Sequence, residues 1–142
     1  QKYNSVLVSK FINKIMLNGK KALATKLFYQ AMEIIEKETN KPALEVLEQA
    51  VKNVTPLLQV KSRRIGGANY QVPMEVKGPR RTHYAFTWIR EAARKRTGES
   101  FDKAIAHELV DAYNNVGSAV KKREETHKMA EANKAFAHFA RY

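Results

Sequence analysis

Between Pro56 and Pro79 this chain abandons the helical spacing of apolar residues that it keeps almost everywhere else. The runs Leu58 to Ile65 and Ala68 to Val76 are both rich in strand-forming residues, and Gly66-Gly67 separates them. Two such runs about a Gly-Gly pair predict a hairpin with a two-residue turn. The turn then sets the register: Ile65 faces Ala68, Arg63 faces Tyr70 and Lys61 faces Val72. That face is basic and aromatic, so the ribbon cannot lie wholly on an apolar core. Arms of about eight residues, at roughly 3.3 Å each, would carry it about 26 Å outward. Pro73 is tolerated because both strands are edges. A two-stranded ribbon is marginal alone in water, so a body must be supplied elsewhere, with a basic finger over about 58–76.

The body reads as helical. Leu7, Val8, Phe11, Ile12, Ile15 and Met16 recur at helical spacing, with Ser5 as N-cap and Gly19 as stop. A second helix runs from about Lys20 to Glu38 on Leu23, Leu27, Phe28, Ile34 and Ile35. Pro42 suits the first turn of a third, which carries Leu44, Leu47, Val51 and Val54 and ends at Pro56. Gly78-Pro79 opens a fourth to about Arg96, with Phe86, Ile89, Ala92 and Ala93 inward. Ser100 caps a fifth through Ile105, Leu109, Ala112 and Tyr113, which Gly117 stops. Ser118 caps the last, Ala119 to about Ala140, on Val120, Met129, Phe136 and Phe139. The predicted fold class is mainly α: about a six-helix bundle with one protruding two-stranded β-hairpin between the third and fourth helices. No repeat or linker interrupts it, which predicts a single domain over 1–142.

Charge indicates what such a body meets. The 142 residues carry 26 Lys+Arg against 14 Asp+Glu, a formal net charge of +12. Residues 1–32 hold six Lys and no acid, whereas 33–51 and 97–120 are each net −3. Residues 52–96 hold eleven Lys/Arg against Glu75 and Glu91 alone, so most of those cations have no carboxylate nearby in sequence. A membrane surface would call for a basic helix with a strongly apolar opposite face, and no apolar run is long enough to span a bilayer. Nucleic acid fits better, because clustered Lys/Arg releases the counterions condensed on phosphates. With no Cys, disulfides, thiolate metal sites and a cysteine nucleophile are excluded. Gln1 is not an initiator residue, which implies residues upstream, and Gln1 to Asn4 lack a signal-peptide pattern. A cytoplasmic protein with a polyanionic partner is expected.

The candidate contacts are three basic clusters: Lys61 with Arg63-Arg64; Arg80-Arg81 with Arg90 and Arg94-Lys95-Arg96; and Lys121-Lys122-Arg123. The first two have few acids to pair with, whereas Glu124 and Glu125 directly follow the third. Arg80, Arg81, Thr87, Arg90, Arg94 and Lys95 can line one broad side of their helix. Arg there can fork onto phosphate or stack on a base. Tyr70 and Trp88 are the aromatic candidates for stacking; for Trp88 the competing reading is a core or groove-edge residue. Gly66-Gly67 is a turn and not a phosphate loop, since no Lys-Ser/Thr and no helix follow. His83, His107, His127 and His138 have no mutual spacing for a metal site, and no nucleophile elbow or dinucleotide turn is present. No cofactor is expected, and no enzyme.

Lys61-Ser-Arg-Arg-Ile-Gly-Gly-Ala-Asn-Tyr-Gln-Val-Pro73 closely resembles the signature of the small-subunit ribosomal protein seven family. So do Trp88 with Glu91-Ala-Ala-Arg-Lys-Arg96, the run Ala119 to His138, Asn4-Ser5 and Asn18-Gly-Lys-Lys21. The likeness spans nearly the whole chain and is of bacterial or organellar type. It implies a helical fold with a protruding hairpin, and binding to the 3′ major domain of small-subunit rRNA early in head assembly. It further implies that Arg63, Arg64, Gly66, Gly67 and Tyr70 lie by exit-site tRNA and mRNA. RNA anchoring would fall on Lys20, Lys21, Arg80, Arg81, Arg94, Lys95, Arg96, Lys121, Lys122 and Arg123, beside the Lys61 and Arg90 read from charge. Ribosomal proteins nine and eleven are the implied protein neighbours, and neither DNA nor membrane is.

Three departures stand out. The family's basic N-terminal arm ahead of Asn4-Ser5 is not in this sequence. Gly78 stands where the family has Pro, with Pro79 one residue later. The ending from Phe139 to Tyr142 differs from the usual aromatic-Arg-Trp. Two rivals are weighed beside the ribosomal reading. A helix-turn-helix DNA binder would concentrate charge on one recognition helix, whereas here it spans a ribbon and several helices. An RNA-acting enzyme would need a converging base, nucleophile or metal set, and none is legible.

Overall fold

The computed structural model describes residues 6–15, 20–76 and 78–133, with the backbone but not the side chains of Val6, Arg63, Ile65 and Pro79. The expected caps Ser5 and Gly19, with Met16, and the last-helix residues Phe136 and Phe139 lie outside the described residues. In chain order the elements are α1 (Val6–Ile15), α2 (Lys21–Thr39), α3 (Ala43–Val54), β1 (Leu58–Ile65), β2 (Ala68–Glu75), α4 (Pro79–Lys95), α5 (Phe101–Tyr113) and α6 (Ser118–Ala132). Six helices with a hairpin between α3 and α4 are the expected architecture.

The core forms where the apolar stripes meet. α5 packs on α2, α3 and α4, and α4 also meets α1 and α6. Phe11, Phe28 and Phe86 join α1, α2 and α4 through ring contacts at 6.0 Å (edge-on) and 4.9 Å (tilted). Ile35, Leu47, Ile89, Ile105 and Leu109 fill the space around them, all buried. Burial of each such side chain contributes about 1.5–3 kcal/mol, which holds α4 firmly enough to present its outer face.

The hairpin has the register that the Gly-Gly turn dictates. Ile65 pairs with Ala68, Arg63 with Tyr70, Lys61 with Val72 and Val60 with Pro73. Gly66 and Gly67 both take positive φ, +59° and +86°, the mirror-image turn that matches strand twist and suits glycine. The root is packed, with Val72 and Val76 fully buried and both strands touching α6, whereas Ser62, Arg64, Ala68 and Asn69 nearer the turn are exposed.

The helix ends differ from expectation in four places. Pro42 precedes the first turn of α3 as its N-cap, where its fixed φ suits the extended backbone. Ser100 occupies the N-cap of α5 without capping it, because its hydroxyl donates to Asp102 Oδ1 instead. α5 stops at Asn114, with Asn115 left-handed at φ +61°, the short amide side chain tolerating that region. Gly117 therefore begins α6 as its N-cap instead of ending α5, and Ser118 is the first helical residue. A Cβ on Gly117 would lie 3.0 Å from Asp111 Cβ, at φ +97°, so close approach of the chain there requires glycine.

Candidate nucleic-acid interface

α4 is the spine of the basic surface, with five Arg/Lys against Glu91 along its length. Its core stripe fixes which side chains are left outward: Arg80, Arg94 and Lys95 are exposed. Arg81 is held at the hairpin root, where its Nε donates to the Val76 carbonyl at 2.7 Å and its Nη2 lies 3.6 Å from Glu75. Arg90 reaches α1, where Nη1 donates to the Lys14 carbonyl at 3.0 Å. Its buried Nε has no hydrogen-bond partner among the described residues.

Around Arg90 the structure assembles a cationic recess that the sequence reading did not single out. Lys10, Asn13, Lys14, Thr82, His83 and Phe86 line about 310 Å³ between α1 and α4. Burial and then Arg90 hold the Lys14 ammonium below its ordinary pKa. Burial, followed by Lys14, Arg90 and Arg80, does the same to His83. Groups whose charged forms are disfavoured by burial and by neighbouring cations gain from an external anion. The signal for Lys10 and Lys14 was available, in their four-residue spacing on one helix within an acid-free stretch.

Arg96 is different in kind. It caps α4, and its Nε lies 2.5 Å from Glu108, its Nη2 2.7 Å from Asp111 and its Nη1 3.5 Å from Glu99. Burial opposes its charge, but the carboxylates, Glu108 foremost, hold its pKa above the ordinary value. Counting acids only within 52–96 missed these partners, because Glu99 follows in the next loop and Glu108 and Asp111 come from α5, all beyond the window. Arg96 thus meets three carboxylates of its own chain, unlike its exposed neighbours Arg94 and Lys95.

On α6, Lys121 and Lys122 are exposed. Arg123 turns inward, donating through Nη1 to the Asn53 carbonyl, with Nη2 3.7 Å from Glu124. Lys122 borders the same recess as Lys95 and Trp88, so α4 and α6 share one basic groove. Trp88 is half-buried at its edge, with its ring centroid 5.6 Å from that of Tyr84. On the ribbon Lys61, Arg64, Gly66 and Gly67 are exposed, and Tyr70 is partly buried. Lys20 and Lys21 are exposed at the start of α2. Lys20 borders a recess with Ile15, Leu23 and Phe101, apart from the α4–α6 groove.

His127, grouped in sequence with Glu124 and Glu125, faces the hairpin instead. Its Nε2 accepts from the Leu57 backbone N–H at 2.9 Å. Burial and then Arg123 keep its pKa below the ordinary value, preserving the neutral acceptor. Among the described residues no group of three or more His, Cys, Asp or Glu could hold a metal ion. No helix among them is long and apolar enough to cross a membrane.

A cationic surface this broad, carried by several helices and a ribbon, has a match among known families. Residues 1–134 fit the model of ribosomal protein S7p/S5e. The chain belongs to that family. It is 57% identical over 137 residues to the small ribosomal subunit protein uS7 of Natranaerobius thermophilus, covering 96% of this chain and 88% of the relative. It is 58% identical over the same length and coverage to uS7 of Dictyoglomus turgidum. Against uS7 of Chloroflexus aggregans it is 52% identical over 140 residues, 99% of this chain and 89% of the relative. Membership makes it a structural, non-enzymatic protein of the small ribosomal subunit, ribosome-bound and in contact with rRNA.

Proposed function

We propose that this chain is one rRNA-binding unit that clamps the 3′ major domain of small-subunit rRNA and organises assembly of the subunit head. The observation that carries this reading is the recess between α1 and α4, where Lys10, Lys14 and His83 gather beside Arg90 and where burial, then neighbouring cations, hold Lys14 and His83 below their ordinary pKa values; exposed Arg94, Lys95, Lys121 and Lys122 add to it. Such a face recognises folded RNA by shape, through phosphate and 2′-hydroxyl contacts. Lys61 extends it and Lys20 and Lys21 offer a separate contact at the start of α2; Arg81, Arg96 and Arg123, bound largely within the protein, act mainly by shaping it.

The hairpin, with Arg63, Arg64, Gly66, Gly67 and Tyr70, reaches toward exit-site tRNA and mRNA and orders fully only against its partners. The exposure of Ser62, Arg64, Ala68 and Asn69 supports this, since a two-stranded ribbon is marginal alone in water. Ribosomal proteins nine and eleven are the proposed neighbours, and the cytoplasm the proposed compartment.

The test is a footprint of the protein on small-subunit RNA, with binding followed against salt. Protection confined to the 3′ major domain is expected. With roughly 6–10 phosphate contacts, affinity falls about 10³–10⁵-fold between roughly 50 and 200 mM salt if duplex behaviour is a guide. Equal displacement by duplex DNA would sink the RNA assignment. Equal amide-exchange protection of the hairpin in free and RNA-bound protein would sink the proposed ordering.

A further inference from the structure

We infer that the groove where α4, α6 and the hairpin root meet receives an unstacked nucleobase, with Trp88 and Tyr84 as its platform. The inference rests on the RNA-binding reading above. A cavity of about 210 Å³ opens there, lined chiefly by Gln59, Val60, Tyr84, Trp88, Thr126 and Met129. Trp88 also walls the adjoining recess that holds Lys95 and Lys122. An aromatic floor therefore continues directly into two exposed ammonium groups, with Glu91 the one carboxylate in that lining.

Charge complementarity decides the occupant. An apolar peptide side chain would use the floor and leave the lysines without a role. A nucleotide uses both, because its base has flat faces to stack and its phosphate is the anion that lysines take. Polar groups for a base edge are in place as well. The Tyr84 hydroxyl donates to Gln59 Oε1 at 2.7 Å, which fixes the amide and leaves its NH₂ to donate. Met129, 54% exposed at the mouth, is a flexible apolar group suited to closing over a heterocycle. Trp88 is thus a groove-edge residue whose position makes it a stacking residue.

Trp88 is the chain's one tryptophan, so its emission reports on this groove alone. The experiment adds a transcript of the 3′ major domain to the full chain, following Trp88 fluorescence and iodide quenching beside a gel-shift titration. Quenched emission and lost iodide access are expected, in step with the shift. Trp88→Leu should weaken affinity about 5- to 100-fold and Trp88→Phe by less, as stacking on an aromatic face predicts. Because Trp88→Leu could disturb packing, Met129→Glu supplies a variant at an exposed position. It should weaken RNA binding several-fold with the circular-dichroism melt unchanged. Wild-type gel shifts with unaltered Trp88 emission would overturn the base pocket while leaving the RNA-binding reading standing. Shielding of Trp88 only when other small-subunit proteins are added would assign the groove to a protein and overturn it equally. Absence of any RNA shift would overturn both.

Discussion

Two cationic regions lie along one helix and behave oppositely. On the side of α4 toward α1, His83 and Arg90 adjoin Lys14, and burial, followed by the like charges, lowers the pKa values of Lys14 and His83. At its C-terminal end Arg96 is enclosed by Glu99, Glu108 and Asp111. Glu108 is 3% exposed; Arg96 binds its Oε2, while Oε1 has no hydrogen-bond partner among the described residues. The first region stores repulsion that an anion relieves; the second is already neutralised and ties the end of α4 to α5. The same residue type serves affinity in one place and architecture in the other.

The sharpest way to break this comparison is to exchange each arginine for a neutral side chain of similar reach. Arg96→Met should cost about 2–3 kcal/mol in urea unfolding. A buried pair broken on one side costs roughly 3–5 kcal/mol, reduced here because the Arg96 side chain is 30% exposed. Arg94→Met should stay within about 0.5 kcal/mol. Equal losses would mean the carboxylates are not what Arg96 holds.

Salt dependence should invert that ranking. Arg80→Ala and Arg94→Ala should each lower the slope of log affinity against log salt by about one, with no matching loss of stability. Arg96→Met should leave the slope of the folded protein unchanged. A triple replacement of 94–96 would confound the two effects.

A smaller effect tests the ribbon against the body. Gly67→Ala, at φ +86°, should cost about 1 kcal/mol locally. It should speed amide exchange in β1 and β2 while α2, α3 and α5 keep theirs. Global unfolding at a lower denaturant midpoint would show that the ribbon is integral to the core.

The smallest effects are the pH responses, which should have opposite signs. His107 has Nδ1 2.6 Å from Glu99 and Nε2 3.1 Å from Glu38. Burial opposes its charge, but these carboxylates raise its pKa above 6.5. Its contribution is therefore fully present below pH 6.5 and lost as pH rises through the higher folded value. His83, whose pKa lies below 6.5, binds a proton more readily when unfolded. It destabilises the free protein as pH falls below 6.5, while protonation there should strengthen RNA binding. His107→Gln and His83→Gln should each remove one limb of the stability profile; a profile unchanged by both would refute the assignment.

Local chemistry made much of this legible. Gly66-Gly67 determines a turn, and a turn determines register, so every cross-strand pair was readable from one dipeptide. Helical spacing likewise exposed Phe86, Ile89 and Ala93 as the buried side of α4. What sequence distance hides is tertiary pairing: Glu108 and Asp111 are 12 and 15 residues from Arg96, and Asn53 is 70 from Arg123. No window of charge reveals such partners. Helix boundaries failed for a related reason, since Gly117 suits a helix stop or a start and only its contact with Asp111 decides.

His127 binds the Leu57 N–H, one residue before a strand eight residues long. Both strands also touch α6, and buried Val72, opposite Lys61, extends the packed root. Four residues of each strand lie beyond it, an arm of roughly 13 Å, so a tilt of about 5° there would move the tip by about 1 Å. A sideways slip of α6 would thus be passed on to Gly66-Gly67 only as a small stroke.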